Sequence, residues 1–261
     1  MELFVCVKST PASETIIFDE VTGNLQRAGS EAMLNPIDHV TIEAGLRCVE
    51  DYGGRLSAVS MGPHSAEAGL RTALSLGVSS AYLLCDPAFA GADVLATAHT
   101  LAGFFRSLPG YDIIFCGKHS ADGDTGQTGA MLAEILGIPH ACGVCTTVSI
   151  KDNHAIVRQR FEMELLTTSL SLPCLVIMEN DAFYPRNATL AGLLHARRQK
   201  IKLENLKTIS HIDPLCCGVR GSSTRVKKMS VQKHSRRGQF LSLDNLGPLQ
   251  AVLTKSETVY E

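Results

Sequence analysis

One stretch of the chain carries residue types that can hold a charged ligand: Gly117-Lys118-His119-Ser120-Ala121-Asp122-Gly123-Asp124-Thr125-Gly126-Gln127-Thr128-Gly129. It follows the apolar run Ile113-Ile114-Phe115-Cys116, which reads as a buried strand, and precedes Met131 to Leu136, which reads as a helix. A glycine-rich turn between strand and helix gathers unpartnered backbone N–H groups at a helix N-terminus, an arrangement suited to a nucleotide phosphate. The N–H groups around Gln127, Thr128 and Gly129 suit the phosphate. Asp122 and Asp124 repel it and instead suit ribose hydroxyls or an adenine amino group, which donate to carboxylates. A plainer use of the same residues is an N-cap by Thr125 or Thr128, with the acidic residues near the positive end of the helix. The glycines at 123, 126 and 129 do not make the dinucleotide fingerprint, and no Lys-Ser/Thr follows the last one, as a Walker A loop requires.

Other chemistry is sparse. No Ser-His-Asp set, HExxH or paired-carboxylate motif stands out, and the nine histidines are dispersed. A protein that binds and positions a cofactor, rather than supplying acid and base itself, fits this pattern. Cys142-Gly-Val-Cys145 has metal or redox spacing, but a zinc site needs a second pair of ligands, for which only His140 and His154 lie near. The pair reads as two small strand residues, and no metal site is predicted. The basic residues Arg225, Lys227, Lys228, Lys233, Arg236 and Arg237 lack interleaved aromatics and read as a solvated face or protein contact, not a nucleic-acid surface.

The elements that must position the glycine-rich loop are legible. Leu3 to Val7, Arg55 to Ser60, Ala81 to Leu84 and Asp112 to Cys116 read as strands. Helices read from Asn35-Pro36 onward, with Asn as cap and Pro in the first turn, over Ala66 to Leu76 stopped by Gly77, and over Ala92 to Phe105. Thr15 to Phe18 and Thr22-Gly23-Asn24-Leu25 read as a hairpin excursion. This alternation predicts an α/β fold: a doubly wound, mostly parallel sheet of Rossmann or flavodoxin type, close to the adenine-nucleotide hydrolases. Ligands of such sheets sit outside the strand C-termini. After Cys145 the pattern turns to strands, Thr146 to Ile150, Ala155 to Phe161 and Leu165 to Leu172, with Lys151-Asp152-Asn153 as a turn. Cys174 to Met178 and a short helix from Thr189 to Ala196 follow. The expected organisation is a nucleotide-binding domain over 1–202 and a C-terminal arm over 203–261.

The 261 residues suffice for one large domain with an arm, and a formal charge of −2 gives no reason to expect a polyanion partner. No apolar run is long enough to span a bilayer, and no signal segment is apparent. Nine cysteines scattered through apolar segments fit reduced thiols in the cytoplasm.

Eight segments carry a further likeness by their order and spacing: Val5-Cys6-Val7-Lys8, Asn35-Pro36-Ile37-Asp38, Ser60-Met61-Gly62-Pro63, Ala73-Leu74-Ser75-Leu76-Gly77, Phe89-Ala90-Gly91-Ala92-Asp93, the glycine-rich loop, Leu172-Pro173-Cys174-Leu175 and Pro185-Arg186. Through them the chain resembles the β subunit of electron-transfer flavoproteins over nearly its whole length. The resemblance implies a heterodimer with an α subunit that carries the electron-transferring FAD, with the arm packing on that subunit. It implies an adenine-nucleotide site of Cys6, Asn35, Pro36, Ile37, Asp38, Met61, Ser120, Ala121, Asp122, Gly123, Asp124, Thr125, Gly126, Gln127, Thr128, Gly129, Ala130 and Met131.

Ordinary members hold AMP there. Electron-bifurcating members hold a second FAD that accepts hydride from NADH. Asp122-Gly123-Asp124-Thr125 with Gln127, and the Phe-Ala-Gly-Ala-Asp segment, resemble the bifurcating group, which adds Asp93 and Thr97 to the site. The chain departs from that group at His119, Val94, Gly126, Thr128 and Ala130. FAD is the favoured cofactor and AMP the alternative. Leu190 matches a docking leucine for acyl-CoA dehydrogenases or similar flavoenzymes. The expected function is therefore an electron-carrier subunit rather than an enzyme. From the residues alone, a stand-alone nucleotide-binding regulatory protein is the alternative.

Overall fold

A computed structural model of the chain describes residues 1–11, 32–162, 164–225 and 250. The predicted hairpin at 15–25 lies outside the described residues, as does the basic stretch beyond Arg225. The described residues through 225 form one compact unit.

The chain opens with β1 (Glu2–Cys6), a short antiparallel pair of β2 (Ser9–Pro11) with β3 (Ala32–Leu34), and α1 (Pro36–Tyr52). β4 (Arg55–Met61), α2 (Glu67–Leu76), β5 (Ser80–Leu84) and α3 (Val94–Ser107) follow. Next come β6 (Ile113–Gly117), α4 (Thr128–Leu136) and β7 (His140–Val144). The strand-rich part holds β8 (Ser149–Lys151), β9 (His154–Phe161), β10 (Glu164–Ser171) and β11 (Cys174–Met178). α5 (Leu190–Arg198), β12 (Lys202–Glu204) and the single turn α6 (Gly218–Gly221) complete the unit.

The sheet order is β10-β9-β7-β11-β6-β1-β4-β5-β12, with β8 on β9. The strands from β7 to β12 in that order are parallel, and β9 and β10 extend them antiparallel. A strand covered on both faces cannot alternate apolar with polar, which is why Ile113 to Cys116 and Cys174 to Met178 are continuous buried runs. Leu3, Val5 and Phe115 pack with Ile42, Leu70 and Leu74 of α1 and α2. Phe4, Val59 and Ile114 pack with Leu101, Phe105 and Leu132 of α3 and α4 on the other face. The fold is thus the doubly wound α/β sheet read from the sequence.

Chain order decides where a ligand crevice opens. From β1 the chain steps outward to β4 and β5, then returns to lay β6 against the opposite side of β1. The β1/β6 boundary is the topological switch point, where connections leave in opposite directions and the strand C-termini stay uncovered. Cys6 and Cys116 are register partners there.

The hairpin between β8 and β9 turns at Asp152 and Asn153, with φ of 49° and 62°, the left-handed pair that a tight primed turn requires. The sequence reading starts an arm at residue 203. Through residue 225 the chain lies on the sheet's own unit: β12 pairs parallel with β5, and Ile209 and Cys217 are buried against the α3 side.

Candidate functional site

Two connections flank the switch point, and polar contacts tie them together. The Lys8 backbone N–H donates to Asp38 Oδ2 at 2.6 Å, and the Asn35 N–H donates to the Lys8 carbonyl at 2.9 Å. Asn35 does not cap α1 as the sequence reading expected. Its amide Nδ2 donates to Asp38 Oδ1 and to the His119 carbonyl, and its Oδ1 accepts from the Ala121 N–H. The cap is sacrificed because the same side chain satisfies backbone groups of a loop 84 and 86 positions away. Lys8 reaches over the crevice, donating from Nζ to Asp122 Oδ1 at 2.7 Å and to Ser120 Oγ at 3.3 Å.

These ties set the local electrostatics. Asp38 is buried, and burial pushes its carboxyl up to about 7 against the lowering pull of the Lys8 N–H and the Asn35 amide. Burial also raises Asp122, but hydrogen bonds from Lys8 and Ser120 outweigh it and hold that carboxyl below its usual range. At Cys6 the neighbouring Cys116 thiol and then burial hold the proton on sulfur well above the usual thiol range.

The loop over the crevice has its own brace. Asp124 adopts φ of 46°, a left-handed conformation that costs a non-glycine residue energy. Its carboxylate lies 2.5 Å from His119 Nδ1, and the Asn180 amide meets His119 Nε2 at 2.9 Å. His119 Nδ1 is buried and, despite the short approach of Asp124, makes no hydrogen bond.

Helix α4 begins without a side-chain cap. Gln127 occupies the cap position and makes no capping bond, so neither Thr125 nor Thr128 serves that role. As at any helix start, the first amides of α4 have no partner within the helix, and no side-chain cap covers them. Two glycines allow this close assembly. A Cβ on Gly117 would meet Asp38 Oδ1 at 2.8 Å, and one on Gly129 would meet Ile177 Cγ1 at 2.9 Å and Cys116 Cβ at 3.2 Å.

A family model for the electron transfer flavoprotein domain matches residues 22–208. The chain belongs to the electron transfer flavoprotein family. It is 35% identical over 243 residues to the electron transfer flavoprotein subunit beta of Thermoanaerobacterium thermosaccharolyticum, covering 93% of this chain and 92% of that one. It is 36% identical to the protein FixA of Rhizobium meliloti, over 88% of this chain and 80% of that one. It is 34% identical to the caffeyl-CoA reductase-Etf complex subunit CarD of Acetobacterium woodii, over 87% and 86% of the two chains.

In this electron transfer flavoprotein chain the crevice gathers most of the predicted nucleotide residues. Asn35 bonds to Asp38 and to the backbone at His119 and Ala121, and Cys6 pairs in register with Cys116, which brings these predicted residues beside the start of the 120–131 segment. Met61 ends the neighbouring β4. Asp93 lies apart, as the N-cap of α3: its carboxylate accepts from the Ala96 N–H and from the N–H and hydroxyl of Thr224. Burial raises the Asp93 carboxyl, and these bonds outweigh it and hold it below its usual range. Thr97 follows one turn later, half-buried on α3.

Leu190 starts α5 and is 74% exposed, with Tyr184 exposed nearby in sequence. Arg186 anchors the segment between them on α1, through Glu43 Oε2 at 2.7 Å and Glu50 Oε1 at 2.6 Å. Cys142 sits on β7 and Cys145 just beyond it, both with free thiols. Among the described residues no group of three or more His, Cys, Asp or Glu is placed to hold a metal ion, and no helix is long and apolar enough to cross a membrane. Sequence reasoning missed Lys8 and Asn180 as site residues. Lys8 had one available signal, its position two residues past a strand that ends at a switch point.

Proposed function

We propose that this chain is the β subunit of a cytoplasmic, heterodimeric electron-transfer flavoprotein that binds FAD in the β1/β6 crevice. It passes electrons between NADH or an acyl-CoA dehydrogenase and other redox partners by flavin-based electron bifurcation. The observation that carries the nucleotide reading is the uncapped N-terminus of α4 opening at the switch point beside Asp122 and Asp124. The α4 amides hold the phosphate, the aspartates take ribose or adenine donors, and Asn35 and Lys8 fix the two walls. When bound, the flavin supplies hydride acceptance and one-electron transfer, and the protein supplies orientation and electrostatics.

The test is a flavin count on the chain purified with its α subunit. Two FAD per heterodimer is the expected result. One FAD with one AMP removes bifurcation and leaves the AMP-binding form, and no nucleotide at all removes the reading. The AMP form has a specific support: the Asp93 carboxylate is already taken by three donors, and Val94 stands where the bifurcating group has threonine.

Asp124→Ala should lower nucleotide retention about tenfold, the scale of one lost charge-assisted hydrogen bond, while far-ultraviolet circular dichroism stays at the parent's level. Equal nucleotide content in variant and parent would remove Asp124 from the site.

The exposed Leu190 serves as the docking anchor for an acyl-CoA dehydrogenase or a similar flavoenzyme. One relative is named as a subunit of a caffeyl-CoA reductase complex, which supports a partner enzyme acting on CoA esters. Leu190→Ala should weaken that docking by about 1.5–3 kcal/mol, measured by calorimetry with the purified partner, with the melting temperature unchanged. A lowered melting temperature with unchanged docking would instead make Leu190 a packing residue.

A further inference from the structure

We propose that Lys8 admits a nucleotide 5′-phosphate to the crevice by neutralising its acidic loop. The inference rests on the nucleotide reading above and adds a residue and a charge mechanism to it. Two carboxylates of the loop bound this crevice, Asp122 and Asp124, and an uncompensated pair would repel a phosphate approaching the α4 amides. Lys118 gives no relief, because its ammonium is paired with Glu179 at 2.6 Å. Lys8 is the lysine that reaches the loop: its Nζ is 2.7 Å from Asp122 and 3.3 Å from Ser120.

Its backbone is fixed on both sides of the Cα, by Asp38 on the N–H and by Asn35 on the carbonyl. The stem therefore leaves the sheet at a set point beside the β1 terminus. The Lys8 side chain is about half-exposed, and an ammonium has three donors, so one remains for a ligand while it pairs with Asp122 and Ser120. The effect is on charge. It therefore falls on AMP or FAD, which share the adenosine 5′-phosphate, and not on uncharged adenosine.

The experiment measures AMP and adenosine binding by equilibrium dialysis on the nucleotide-stripped full chain purified with its α subunit. Lys8→Gln keeps a donor for Asp122 without the charge, and Lys8→Arg keeps the charge. In Lys8→Gln, AMP affinity is expected to fall about tenfold or more, with adenosine within about threefold of the parent and the AMP loss shrinking as salt rises. Lys8→Arg should stay within about threefold for both ligands. Equal losses of AMP and adenosine would make Lys8 a tether and overturn the charge role, as would AMP binding at parental strength in Lys8→Gln. A parent that binds neither ligand points to failure of the nucleotide reading itself, which the variants alone would not reveal.

Discussion

Replacing Arg186 with alanine is expected to destabilise the fold by about 3–5 kcal/mol, the cost of leaving a buried carboxylate without its main partner. Glu43 is 4% exposed in the middle of α1, where an unpaired charge has no water to turn to. Arg186 meets it through Nε at 2.7 Å and its backbone N–H at 3.2 Å, and extends to Glu50 through Nη1 at 2.6 Å. Arg47 remains in the variant, 2.7 Å from Glu43 on the other side, and sets the lower bound of the loss.

Burial raises the Glu43 carboxyl, but the two arginines outweigh it and hold it at about 2, against an ordinary 4.5. A depressed carboxyl contributes stability that is present above pH 4.5 and is lost as the pH falls from 4.5 toward 2. Urea unfolding should show a lower midpoint with an unchanged slope in the variant, and a shallower fall in stability across that acidic window. Glu43→Gln in the same chain should recover part of the loss. Parental stability in Arg186→Ala would mean the ion pair is nearly neutral in net energy. Because Arg186 anchors the segment leading to Leu190, partner docking should weaken as well.

Gly129→Val is expected to abolish most nucleotide retention, by more than tenfold, and to destabilise the chain by about 1–3 kcal/mol, the usual range for forcing extra carbons into a packed site. The first turn of α4 lies directly on β6 and β11. An added Cβ meets the buried Ile177 side chain at 2.9 Å and the Cys116 Cβ at 3.2 Å, and valine adds two more methyls. Ile177 can shift only into a filled core, so the helix start must move outward. Moving it swings the amides of residues 128–130 away from the crevice. Flavin and AMP content of the purified complex, measured beside the melting temperature, separates the outcomes. A variant that melts lower but keeps its nucleotide would show that α4 does not hold the phosphate.

Much of this protein follows from local pattern. The buried strands announce themselves because a parallel strand covered on both faces must be apolar throughout, as at Ile113 to Cys116. Pro36 marks the start of α1, and the alternation of elements points to the doubly wound sheet. The glycine spacing at 117–129 is readable because a helix start pressed on a sheet leaves no room for a Cβ.

What sequence pattern could not give are contacts between residues far apart in the chain. Asn35 reads as a cap, since a cap is the local use of asparagine before a helix. The fold instead brings His119 and Ala121 beside it, and those backbone groups compete successfully for its amide. Thr125 or Thr128 could locally have served as a cap in the plainer reading of the loop, and α4 starts with no side-chain cap. The resemblance puts Asp93 on the ligand path, and the fold also brings the N–H and hydroxyl of Thr224, a residue 131 positions on, to its carboxylate.

The sequence by itself determined the fold class and the place of the glycine-rich loop, because periodicity, apolar runs and close-packing glycines are local properties, while the family rests on the order and spacing of its matching segments. The tertiary structure alone decided that Lys8 pairs with Asp122, that Asn35 bonds the backbone at His119 and Ala121, and that Arg186 pairs with Glu43 and Glu50 of α1. Each depends on which charged or polar groups the sheet order sets within a few ångströms, and strand order is not written in any single segment.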